Sequence, residues 1–204
     1  MNFTPQVLAT MQYYPPVQSA KMSRIFWFQW VLVTILGFLI SLCLVEINVR
    51  PNVGAMSGAI GGAVIGLAQG MLLKPRVSIA GWVLASLVSW SLIGGSDLGA
   101  IGWVAPRTLN LGIRATFGVL DGSLVGALIG VGQWFILRQQ VKKAWVWILT
   151  SALGWGVGLA IGWSVGGILR LKSHLFLSEL VGLTLAWVVV AAITGVTLVS
   201  FRKV

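Results

Sequence analysis

Apolar positions in this chain neither alternate nor confine themselves to one helical stripe. They gather into six nearly unbroken runs, approximately Ile25 to Val45, Gly54 to Leu73, Ile79 to Gly95, Phe117 to Leu137, Trp145 to Leu169 and Leu180 to Phe201. Each run approaches the ~20 residues that cross ~30 Å of hydrocarbon at 1.5 Å per residue. Strands of a membrane barrel would instead alternate over about ten residues. The pattern therefore predicts an all-α integral membrane protein with six transmembrane helices.

The polar segment 1–24 precedes the first run and holds Pro15 and Pro16, so residues 25–204 are expected to form a single membrane domain. A cleaved leader is not expected, because that polar stretch is long and no A-x-A site follows the first run. Cys43 has Leu42 before it, where an acylated lipoprotein cysteine needs a small residue. It is expected to be a buried apolar filler, with no intrachain disulfide and no metal cluster.

Composition agrees with the pattern: 57% of residues are hydrophobic and 9% charged, with a mean hydropathy of +0.94. Charge then adds direction. If the helices alternate, one side collects Lys21, Arg24, Lys74, Arg76, Arg138, Lys142, Lys143, Arg202 and Lys203 without an acidic residue. The other side mixes Arg50, Arg107, Arg114, Arg170 and Lys172 with Glu46, Asp97, Asp121 and Glu179. The positive-inside rule then predicts that both termini, and the polar segment 1–24, face the cytoplasm. The net charge of +10 is spread over short loops, so it predicts contact with anionic lipid head groups and not with nucleic acid.

An internal repeat is visible at an offset of 64 residues. It matches Gly58 with Gly122, Gly62 with Gly126, Ala63 with Ala127, Gly66 with Gly130 and Gln69 with Gln133, after which WVLASLVSW (82–90) lies over WILTSALGW (147–155). WVLVTILGF (30–38) fits the tryptophan type, and the last run fits the glycine type loosely, with Thr197 in place of glutamine. Three tandem helical hairpins are predicted, parallel in topology and related by an axis along the membrane normal.

Glycines recur every four residues as Gly54, Gly58, Gly62 and Gly66, then Gly118, Gly122, Gly126 and Gly130, then Gly154, Gly158 and Gly162. Membrane helices gain little from hydrophobicity when they associate, so close backbone approach through small residues is the expected purpose of these ladders. Gln69 and Gln133 lie shallowly on the basic side and require partners, either on a neighbouring helix or in a polar solute path. Trp27, Trp30, Trp145 and Trp147 are expected in the interfacial belt with their indole N–H toward water. Trp90, Trp155, Trp163 and Trp187 lie deeper, as space fillers or as contacts for a flat apolar ligand. The connection 96–116 is expected to carry a short interfacial helix from Pro106, with Arg107 and Arg114 on one face; together with Trp103 they form a candidate partner-binding segment. Asp121, early in the fourth helix, is a candidate for proton coupling.

Catalytic chemistry has little to draw on. The four acidic residues are scattered over loops and helix ends, His174 is the only histidine, and no metal-ligand spacing or phosphate loop occurs. The GAxxGxxxQ helix, basic residue and following W-[VI]-L-x-[ST] helix, at 62–90 and 126–155, resemble uncharacterised glycine- and tryptophan-rich multi-pass membrane proteins common in cyanobacteria. That resemblance implies a thylakoid or plasma membrane and no particular reaction. The expected function is a non-catalytic subunit or assembly factor of a larger membrane complex. It would bind partner helices through glycine grooves, or associate with itself, with lipid or pigment as the cofactor class to test. The alternative is a small-solute transporter or channel with its pathway near Gln69 and Gln133.

Overall fold

The computed structural model describes residues 16–45, 54–74 and 76–201, with side chains from residue 23. The expected sites at Lys21, Glu46, Arg50, Arg202 and Lys203, and most of the polar segment 1–24, lie outside these described side chains. The elements are α1 (Pro16–Ser41), α2 (Gly54–Leu73), α3 (Ile79–Gly94), a single 3-10 turn (Ile101–Trp103), α4 (Leu111–Leu137), α5 (Val146–Ser173) and α6 (Leu177–Phe201). Five helices are long and apolar enough to cross a membrane, and α3 is a shorter apolar helix of 16 residues. The protein is an integral, multi-pass membrane protein.

Helix starts follow local chemistry. Ser78 caps α3 by accepting from the Gly81 N–H at 3.2 Å, and Asn110 caps α4 by accepting from the Ile113 N–H at 3.1 Å. Each side chain satisfies one of the N–H groups that a helix start leaves without a partner. The cap at Asn110 sets the start of α4 six residues before the expected Phe117, because a capping residue outweighs the polarity of Arg114 and Thr116. No helix begins at Pro106; residues 104–110 are extended or irregular.

Each helix packs antiparallel on the next, and α6 returns to α1, so the six close into a ring. The glycines set how closely neighbours meet. A Cβ on Gly62 would lie 2.7 Å from the Ser86 carbonyl oxygen of α3, and one on Gly122 would lie 2.5 Å from the Trp155 carbonyl oxygen of α5. Gly58 and Gly66 also face α3, Gly118, Gly126 and Gly130 face α5, and Gly158 and Gly162 face α6. These backbones touch where any side chain would hold them apart. Gly54 differs: it opens α2 at φ +79°, a left-handed conformation that favours glycine, with nothing near its own missing side chain, while its carbonyl oxygen would lie 2.6 Å from a Cβ on Gly94 of α3. Cys43, expected inside, is exposed on the outer surface.

Candidate functional site

The core runs along the ring axis as stacked aromatic and polar layers. Nearest the end that carries the α2–α3 and α4–α5 connections, Trp30, Trp82 and Trp147 form a triangle with centroid separations of 6.4, 6.2 and 5.8 Å, each pair edge to face. All three are buried. Each indole donates sideways to the preceding helix of the ring. Trp82 Nε1 reaches Gln69 Oε1 at 3.2 Å, Trp147 Nε1 reaches Gln133 Oε1 at 3.0 Å, and Trp30 Nε1 reaches Thr194 Oγ1 at 3.1 Å. The interfacial placement expected for Trp30 and Trp147 is therefore corrected, since their N–H groups are consumed inside the bundle. Trp145 is exposed, and Trp27 donates to the Ala192 carbonyl at 2.9 Å.

The glutamines complete the layer. Gln69 Nε2 donates to Thr34 Oγ1 and Gln133 Nε2 to Ser86 Oγ, both at 3.1 Å, so each amide ties three helices together. Buried amides used at both ends avoid the desolvation cost of an unpaired polar group. The corresponding place on α6 is held by Thr194 and not by the expected Thr197, which turns away to Thr150 at 3.0 Å. The shift arises because Thr194, not Thr197, stands opposite Trp30 where α6 crosses α1. Thr194 donates to its own helix at Val190 O, 2.7 Å away. Its short side chain thus makes no bridge to Ser151, the residue matching Thr34 and Ser86 in the W-x-x-x-[ST] spacing. A cavity of about 30 Å³ remains there, among Gln69, Gln133, Thr194, Ser86 and Ser151, room enough for a water.

Beyond this layer, Trp90, Trp155 and Trp187 cluster with centroid distances of 4.6 to 6.0 Å, and Phe38 stacks on Trp187 at 5.4 Å. Segment 100–105 then closes the axis from the opposite end. Trp103 is buried and donates to Ser41 Oγ at 2.8 Å, while Trp187 Nε1 and Trp163 Nε1 donate to the Gly102 and Val104 carbonyls at 3.1 and 3.0 Å. Gly102 is needed for this insertion, because a Cβ would meet Trp90, Trp187 and Trp155 at 2.9 to 3.2 Å.

Arg114 locks the same segment. It is fully buried on α4 and spends all five donors: two on Glu179 at 2.6 and 2.9 Å, and one each on the Thr108, Pro106 and Trp163 carbonyls at 2.6, 2.9 and 2.6 Å. Arg170 also approaches Glu179, at 3.3 Å. A guanidinium paired bidentately and saturated with hydrogen bonds is the condition under which a buried ion pair is tolerated. Arg107 and Arg114 therefore do not share a helix face, and Trp103 and Arg114, expected in a partner-binding segment, are closed inside the chain. Arg107 is exposed. The Arg114–Glu179 pairing escaped sequence reasoning because 65 residues separate its members. The tryptophan layer had a signal in the recurring W-x-x-x-[ST], whose members share one helix face.

Asp121 is half-buried and lines an open cavity of about 540 Å³ together with Asp97 and Trp163. Among the described residues, no group of three or more His, Cys, Asp or Glu side chains is placed to hold a metal ion.

Fold and site define a polytopic helical membrane protein with a tryptophan-filled axis. No protein-family profile, curated protein or solved structure matches the chain.

Proposed function

We propose that this chain is a non-catalytic subunit or assembly factor of a larger membrane complex, built as three tandem hairpins with both termini in the cytoplasm. The observation that supports this most directly is the filled axis: Gln69 and Gln133 have a cavity of only about 30 Å³ between them, with tryptophan layers on either side. A solute pathway needs a continuous polar route; a scaffold needs a rigid core. The glycine zippers serve the chain's own ring, so partner helices, or a second copy, dock on its outer faces. Between α3 and α4 an apolar cleft of about 580 Å³ opens outward, lined by Leu84, Val88, Leu92, Leu128, Val131 and Phe135, and suits a helix, lipid chain or pigment. The resemblance to glycine- and tryptophan-rich cyanobacterial proteins supports a thylakoid or bacterial plasma membrane as the location.

Gentle detergent extraction from the native membrane, native-gel sizing, mass spectrometry and an absorbance spectrum test this reading. Stoichiometric membrane partners are expected, and visible absorbance would add pigment. Migration alone and without colour overturns it in favour of the transport alternative. That alternative requires the tryptophan triangle to part, and it predicts flux in liposomes that Gln133→Leu abolishes.

A further inference from the structure

Among the described residues, the end of the ring that carries the α2–α3 and α4–α5 connections is not filled to its surface. A cavity of about 460 Å³ lies there, with Phe26, Leu73, Val77, Leu137 and Leu198 among its walls and Arg76 and Gln140 also lining it. The wall residues pack in one cluster with Trp30, Trp82 and Trp147, which lie deeper along the axis and do not themselves line the cavity. Its volume falls within the size range of small-molecule sites, ~300–1,000 Å³.

Its electrostatics are one-sided. Lys74, Arg76, Arg138, Lys142 and Lys143 are exposed at this end, whereas Asp97, Asp121 and Glu179, the acidic residues among those described, lie in the other half of the bundle. Of these five basic residues Arg76 lines the pocket, and an end of the bundle carrying one sign of charge concentrates ligands of the opposite sign. The exposed guanidinium of Arg76 can grip a carboxylate through two parallel hydrogen bonds, while the apolar walls favour a hydrocarbon chain. Because walls from α1, α2, α4 and α6 and both connections surround it, a single chain entering from the mouth fits better than a two-chain lipid sliding in from the bilayer.

We infer that this pocket binds a single-chain anionic amphiphile, a long-chain carboxylate, with its chain above the tryptophan triangle and its head group on Arg76. The inference does not depend on the subunit reading, because it concerns the isolated chain.

The test is equilibrium binding of radiolabelled hexadecanoate to the full-length protein in neutral detergent, with hexadecanol as the uncharged control. Expected are one saturable site per chain, at least tenfold tighter binding of hexadecanoate than of hexadecanol, and weakening by 0.5 M salt. Arg76→Ala, an exposed change, should weaken binding at least fivefold, and Val141→Trp, which fills the pocket, should abolish it with thermal stability unchanged. No saturable uptake overturns the proposal and points to a pocket occupied by the chain's own residues or by a second copy. Equal binding by both variants, or by hexadecanol, also overturns it. Saturable binding of labelled phosphatidylglycerol without saturable hexadecanoate binding would assign the site to a bilayer lipid and overturn the single-chain assignment.

Discussion

Two glycines of the same ladder type should respond to alanine in opposite directions. At Gly118 an added Cβ would lie 2.6 Å from both the nitrogen and the Cα of Ala160 and 2.8 Å from the carbonyl carbon of Leu159. Carbon contacts are comfortable at ~3.5–4.0 Å, so α4 and α5 must separate by roughly 1 Å. The obstructing atoms are helix backbone and cannot swing aside. Overpacking costs ~1–3 kcal/mol, and backbone that cannot yield puts this case at ~2–3 kcal/mol; alanine returns ~1 kcal/mol of helix propensity, for a net loss of ~1–2 kcal/mol. At Gly154 the added Cβ would meet Ile193, Thr194 and Val190 at 3.7 Å, an ordinary contact. There the propensity term stands unopposed, and Gly154→Ala should gain ~1 kcal/mol. Reversible unfolding in mixed micelles, followed by tryptophan fluorescence and far-ultraviolet circular dichroism, measures both. A Gly118→Ala protein as stable as the parent, or two variants shifted equally in one direction, would refute the argument that backbone contact at Gly118 sets the α4–α5 distance.

Glu179→Gln leaves the Arg114 charge buried without its counter-ion and should cost ~3–5 kcal/mol; a double-mutant cycle with Arg114→Met should show strong coupling, and additivity would refute the pairing. Gln133→Leu strands the Trp147 indole and should destabilise by ~1–3 kcal/mol, visible as a lower unfolding midpoint and a shifted tryptophan emission. Thr194→Gln supplies the missing amide between Trp30 and Ser151; thermal unfolding should show a stabilisation of about 1 kcal/mol, and a loss would mean that the 30 Å³ cavity does not accept it. For orientation, His174→Cys in a Cys43→Ala background should react with an impermeant maleimide added to intact cells; protection until lysis would reverse the assigned topology.

The helices were legible because a bilayer demands long apolar runs, and the observed α2 and α3 coincide with those runs within one residue. The start of α4 was not, since Arg114 interrupts the hydropathy of a helix that Asn110 had already begun. A buried charge looks like a boundary in sequence when its partner is remote. Trp30 and Trp147 were misplaced for a related reason: depth along a helix puts a tryptophan near the interface, but whether its ring faces lipid, water or the axis depends on helix rotation. That rotation is set here by Gln69, Gln133 and Thr194, residues on other helices.

The same three residues decide what the axis can do. Each triangle indole is held by a neighbouring helix, and each glutamine by two, so opening the axis means breaking those bonds where a cavity of about 30 Å³ leaves little room for water to replace them. The resistance is uneven around the ring. Between α1 and α3, and between α3 and α5, an amide bridges tryptophan and hydroxyl; between α5 and α1, Thr194 stops short and Ser151 borders the cavity. Any breathing of the core should therefore begin beside α6, on the side of the ring away from the α3–α4 cleft. A partner docked in that cleft would meet the two amide-tied sides, which is the arrangement a scaffold needs.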